Sequence, residues 1–167
     1  FGFGLNYTSF EMQTVSCMIS GTQMNLSVKV KNTGSEYAGR EVVQVYISAP
    51  QEGLVKPYQE LKAFKKTKKL LPGEEEVLSI SVNIASWASY DPAKAAYILS
   101  SGTYYVRVGN SSRNTVVAAK AVCPQEILIS RHRNLFNDPS GEIKEWTPSC
   151  APYGYEGEEE EKKAAPE

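Results

Sequence analysis

At 167 residues, 41% of them hydrophobic, the chain has material for one core, and its formal net charge of −1 gives no bias toward nucleic acid. Three cysteines, Cys17, Cys123 and Cys150, are too few and too scattered for a disulfide framework or a zinc site. There is no signal peptide and no run long enough to cross a membrane, and the opening on Phe1 reads as a piece cut from a longer protein. That absence says little about the setting, which is left undetermined with a lean toward a bacterial cytoplasm and secretion open.

Phe1 to Phe10 carries four aromatics and glycine at positions 2 and 4. Such a segment has area to bury and a backbone free to approach another surface closely. It reads either as an edge strand with some core residues or as a segment packed against a neighbouring domain. Phe10 to Ile19 is the first full strand, ending at Ser20-Gly21. Met24, Leu26, Val28 and Val30 then alternate with Asn25, Ser27, Lys29 and Lys31, which places one set on a core and the other in water. Asn32-Thr33-Gly34 stops this strand with turn-forming residues. From Glu41 to Ser48 both faces are largely apolar, so that strand belongs in the middle of its sheet.

Pro50 to Pro57 is a loop, followed by a short strand from Glu60 to Phe64. Lys62, Lys65, Lys66, Lys68 and Lys69 around it suit a solvated edge that resists pairing with other strands, more simply than a phosphate patch. Leu71-Pro72-Gly73-Glu74 is a turn, and Leu78, Ile80 and Val82 mark another half-buried strand. Ile84 to Tyr90 contains Trp87 and Tyr90, and Asp91-Pro92 starts a turn that extends to one helical turn through Ala96. Tyr97 to Leu99 and Thr103 to Val108 read as a hairpin around Ser100-Ser101-Gly102. Tyr104 has the position of the buried tyrosine that ties down a sandwich corner. Asn110 to Asn114 is a turn, and Thr115 to Val122 is the last strand of the set.

About seven strands with turn signals every ten residues or so predict an all-β, immunoglobulin-like antiparallel sandwich over residues 1–123. Gln125 to Ser130 has the composition of one more short strand, inside an otherwise irregular segment, 124–150. That segment is expected to pack on a neighbouring domain, because Leu135, Phe136, Ile143 and Trp146 would otherwise sit in water. The acidic run in 151–167 lacks apolar residues, so an acidic linker or disordered tail is expected there.

Chemistry is sparse. Asp91 and Asp138 each precede proline, where turn initiation accounts for them, and Glu41 and Glu60 border strands without a partner carboxyl. His132 is the only histidine, no serine has a nucleophile-elbow context, and Gly102 and Gly109 serve turns rather than a phosphate loop. No catalytic residue, metal site or cofactor is expected. Trp87, Tyr90 and Tyr97 offer a sugar-stacking platform, with the simpler alternative that Trp87 plugs one end of the core. Asn6-Tyr7-Thr8, Asn25-Leu26-Ser27 and Asn110-Ser111-Ser112 match the glycan acceptor pattern, which matters only in a eukaryotic secretory route.

Five blocks in order resemble one known module. Phe3-Gly4-Leu5-Asn6-Tyr7-Thr8-Ser9-Phe10 is similar to the stretch that leads into the fibronectin type III-like domain of family 3 glycoside hydrolases, the β-glucosidases and β-xylosidases. Val28 to Gly34 followed by Ala38 to Tyr46, Pro57 with Glu60-Leu61-Lys62-Ala63-Phe64, Leu71-Pro72-Gly73-Glu74, and Gly102-Thr103-Tyr104 to Gly109 continue the match over roughly residues 1–122. Asn6 stands where the family usually has serine. The resemblance implies a fibronectin type III-like fold and a non-catalytic domain of a retaining enzyme acting on β-linked glycosides. Its catalytic carboxylates would lie in a separate (β/α)8 barrel and an α/β sandwich domain, which would be this module's partners. Contacts to them are expected from Phe1, Phe3, Leu5, Tyr7 and Phe10, and from Pro57, Leu61 and Phe64. The long tail suits members in which the module precedes the barrel. The alternative is a stand-alone carbohydrate- or protein-binding module.

Overall fold

The computed structural model describes residues 1–135 and 153–167. Phe136, Asp138, Ile143, Trp146 and Cys150, singled out above, lie outside the described residues. Strands β1 (Phe10–Ser20), β2 (Gln23–Asn32) and β5 (Glu75–Asn83) form one antiparallel sheet in the order β1-β2-β5. Strands β3 (Val42–Ser48), β4 (Glu60–Lys66), β8 (Gly102–Ser111) and β9 (Asn114–Cys123) form the facing sheet, ordered β4-β3-β8-β9. The short strands β6 (Ser89–Asp91), β7 (Ala96–Leu99) and β10 (Ile127–Arg131) pair beside them as β10-β7-β6.

The two larger sheets hold seven strands, each on a stretch that the sequence marks as extended, while the Tyr97–Leu99 strand lies in the small sheet. Met24, Leu26, Val28 and Val30 of β2 meet Val43, Val45 and Ile47 of β3 and Val106 and Val108 of β8, all buried. Each such side chain stabilises the fold by about 1.5–3 kcal/mol relative to exposure. β3 lies between β4 and β8, as its two apolar faces require, and the lysine-rich β4 is a sheet edge.

The expected hairpin of Tyr97–Leu99 with Thr103–Val108 does not form. β7 pairs with β6 and β10, whereas β8 pairs with β3 and β9. Ser100 to Gly102 instead carries the chain from one sheet to another, with Gly102 at φ +126. Leu99 and Tyr104 enter the common core from the two sides of this crossing, and the Tyr104 hydroxyl donates to the Ser100 carbonyl at 3.2 Å. Burial pushes that hydroxyl up to about 12, so it remains a donor. The corner tyrosine is therefore where the sequence placed it.

Ile84–Trp87 is a 3-10 helix capped by the Asn83 side chain, which accepts from the Ala85 amide. Residues 92–95 are a turn, and Ala96 begins β7 rather than ending a helix. Asp91 takes the Ala93 and Lys94 amides at 2.9 and 3.3 Å, a structural use of its carboxylate.

The C-terminal segment also departs from expectation. Glu158–Ala164 forms helix α1, and its buried Glu158 pairs with Arg107 on the outer face of the four-stranded sheet. Four glutamates in the first turn and two lysines in the last complement the helix dipole, and Glu158 to Lys162 spans one turn at 3.1 Å. A charged run lacks apolar area, but it docks where the opposite charge awaits it.

Candidate interdomain surface

The leading segment, residues 1–9, forms no strand and crosses the end of the sandwich beside β3. Its base is held by Asn32, which is fully buried at the end of β2. The Asn32 Oδ1 accepts from the Thr8 hydroxyl at 2.6 Å and the Gly34 amide at 3.0 Å. Its Nδ2 donates to the carbonyls of Tyr37 and Leu70 at 2.9 and 3.0 Å. The Thr33 amide adds a bond to the Ser9 carbonyl at 2.8 Å. Every polar atom of this buried amide is used, which is the condition for burying it cheaply. A Cβ on Gly39 would meet Thr8 at 2.8 Å and the Phe10 ring at 2.9 Å, so the segment's path needs glycine there.

Beyond this anchor the aromatics are free of the core. Phe1, Phe3, Leu5 and Tyr7 are 81–93% exposed. Phe1 and Phe3 line a groove of about 660 Å³ together with Leu61, Phe64, Arg40 and Lys66. Phe64 on the edge strand is 69% exposed. Phe1, Phe3, Leu61 and Phe64 are thus brought together. Leu5 and Tyr7 project from the same segment, with Tyr7 edge-on to Tyr37 at 6.3 Å. Phe10 instead packs against the core, and Pro57 is exposed but does not line the groove.

The groove's polar wall is committed. Glu41 accepts from its neighbour Val42 at 2.8 Å and from Asn110 at 3.3 Å. Gln44 donates to the Asn110 carbonyl at 2.8 Å and accepts from the Tyr46 hydroxyl. Glu41 is the only acid among the described lining residues, where glycoside hydrolysis uses two carboxyls. Among the described residues no three His, Cys, Asp or Glu side chains converge as metal ligands. No helix there is long and apolar enough to cross a membrane. Cys17 and Cys123 are both free thiols.

Of the three candidates for a sugar platform, Trp87 is set apart in the core while Tyr90 and Tyr97 stay together. Trp87 is 2% exposed and stacks in the core on Tyr104 at 5.7 Å. Tyr90 and Tyr97 are exposed on the small sheet, 5.2 Å apart but inclined at 59°. His132 meets Tyr97 edge-on at 80°. These rings share no plane on which a sugar face would lie flat. Trp87 is part of the core cluster, where so large a ring supplies buried area.

Sequence reasoning missed Asn32 as the anchor, taking it for a turn residue. Its pairing with Thr8 could have been suspected only from the two motifs occurring together. Arg107 was missed as well, being one arginine in a core strand with no local partner.

Residues 41–112 match the family model described as "Fibronectin type III-like domain". A β-glucosidase from Kluyveromyces marxianus is 40% identical over 113 residues, 67% of this chain and 13% of that protein. The structure is similar to that of a β-glucosidase from Paenibacillus barengoltzii, with a TM-score of 0.75 and 40% identity over 80% of this chain and 16% of that one. It is similar also to a GH3 β-glucosidase from Bifidobacterium adolescentis, with a TM-score of 0.65 and 31% identity over 75% of this chain and 18% of that one. The chain thus spans only a small part of the proteins it matches. It belongs to the fibronectin type III-like domains of family 3 glycoside hydrolases.

Proposed function

We propose that this module is the non-catalytic structural domain of a β-glucosidase-type glycoside hydrolase, bracing the enzyme's (β/α)8 barrel and α/β sandwich domains. The observation that carries the reading is the apolar surface of Phe1, Phe3, Leu5, Tyr7 and Phe64, largely exposed among the described residues and based on Asn32. An exposed cluster of that kind marks a contact site. Hydrolysis of β-linked glycosides by two-step displacement belongs, on this reading, to the other domains.

Sequencing the reading frame on both sides is the first test. Flanking barrel and α/β sandwich sequences support the brace, whereas a start codon just upstream and a stop after Glu167 would sink it. In the encoded enzyme, Phe3→Ser with Leu5→Ser is expected to lower the inactivation temperature by ~1–2 °C at unchanged KM. An unchanged temperature counts against bracing. Titration of the 167-residue chain with soluble β-glucans is expected to show no binding, and binding would favour a carbohydrate module instead.

A further inference from the structure

Arg107 points away from the core, on the outer face of the four-stranded sheet, yet it is 0% exposed. Residues 153–167 cover it. One guanidinium nitrogen donates to Glu158, another to the Tyr155 hydroxyl at 3.2 Å, and Nε to the Ser48 hydroxyl at 2.8 Å. The rings of Tyr58 and Tyr155 flank it at 4.8 and 5.8 Å. Glu158 also receives the Tyr58 hydroxyl at 2.7 Å and Lys162 at 3.1 Å. Arg113 stacks on Tyr153 at 4.0 Å, and Lys162 lies over Tyr105 at 5.5 Å.

The segment also caps the sheet's open edge. β9 is the last strand, and a bulge between Val117 and Ala119 turns the Val117 amide outward. That amide donates to Glu161 at 3.1 Å, and the Lys120 amide donates to the Pro166 carbonyl at 2.8 Å. Unpaired edge amides are templates for other chains, so such cover has a use of its own.

We propose that this outer face is a docking site for an acidic, tyrosine-bearing segment, filled here by residues 153–167, which act as a latch that leaves and returns as one unit. Glu158, Glu161 and Lys162 lie on one face of α1 at i, i+3 and i+4, and Tyr155 just ahead of the helix joins that face through its hydroxyl bond to Glu161. No residue of 153–167 belongs to the hydrophobic core, so its departure opens nothing inside the sandwich. Release returns both Arg107 and Glu158 to water, and the open state strands no charge. Burial, then the bond to Glu158, pushes the Tyr58 hydroxyl up, and burial and Glu161 push Tyr155 up to about 12. Both therefore donate across the neutral range. The latch stands apart from the bracing role, since it uses a different set of residues from the Phe1–Phe64 groove.

Amide hydrogen exchange on the full chain tests this, because Val117 and Lys120 report the latch directly. Glu158→Gln with Glu161→Gln lies wholly in the tail and leaves the sandwich residues unchanged. It is expected to speed exchange at Val117 and Lys120 by ~10–100-fold, the worth of lost charge-assisted bonds, with Val28 and Val45 unchanged. A synthetic peptide of residues 153–167 at ~1 mM, the order of concentration a short tether provides, is then expected to restore protection. Unaltered exchange at Val117 and Lys120 would overturn the latch, and so would failure of the peptide to restore it. Dimers that dissociate as these amides open would overturn docking within one chain.

Discussion

The two ends of the described chain invert what their compositions suggest. The leading segment is rich in Phe, Leu and Tyr and stands in solvent, whereas the tail is rich in Glu and Lys and covers a sheet. Burial is decided by whether a complementary surface exists, and composition speaks only to half of that. The leading segment finds among the described residues an anchor for Thr8 but no cover for Phe3 or Leu5. The tail finds an arginine, an array of tyrosines and two edge amides. Apolar area is worth about 25 cal/mol per Å² wherever it is covered, but charge is stabilised only at matched positions.

The largest expected effect comes from breaking the anchor beneath the exposed end. Asn32→Ala removes four side-chain hydrogen bonds and strands buried carbonyls, so unfolding free energy should fall by about 3–4 kcal/mol. Urea titration measures it, and a loss below 1 kcal/mol would show that the Leu70 and Tyr37 carbonyls find other donors. Gly39→Ala should cost about 1–3 kcal/mol, because the added carbon collides with Thr8 and the Phe10 ring. It should also move Tyr7 off Tyr37, which ring-to-ring nuclear Overhauser contacts would register.

Arg107→Ala breaks the covered end. A stranded partner in a rigid core would make this cost ~3–5 kcal/mol, but Glu158 can swing into water, so about 1–2 kcal/mol is expected. Deleting residues 153–167 should cost as much, and combining the two should cost no more than either, as measured by a double-mutant cycle. Additive losses would mean that Arg107 supports the sandwich independently of the tail.

Acid should loosen the covered end and spare the exposed one. Burial pushes the Glu158 carboxyl up, but hydrogen bonds from Tyr58 and Lys162 and the Arg107 charge outweigh it and hold the group below its ordinary value. Lys162, Tyr155 and Glu161 from the tail, Tyr58 ahead of β4 and Arg107 of β8 are the ionisable groups around it. Docking is therefore fully present above that ordinary value and fades as pH falls through the depressed one. Carboxyl carbon shifts of Glu158 followed with pH would check the order of events. The smallest effect is expected from Phe3→Ser with Leu5→Ser in the isolated chain, within ~0.5 kcal/mol, since neither side chain is covered by the described residues. A larger loss would place these residues in a contact inside the module.

Alternation along β2 and β5 was enough to name their core residues, because which face a side chain takes is a local property of an extended chain. The lysine-rich edge and the corner tyrosine were legible for the same reason, each resting on residues close in sequence. Tertiary structure alone decided that Tyr97–Leu99 pairs with Ile127–Arg131 instead of with its neighbour, since strand pairing depends on which edges remain open. It alone put Asn32 beside Thr8, 24 residues away, and Arg107 beside Glu158, 51 residues away. The order of charges in Glu158 to Lys163 did contain a helix signal, but a helix of seven residues does not hold itself in water. What holds it is an arginine on a distant strand, and no periodicity reports a contact between residues that only the folded sheet brings together.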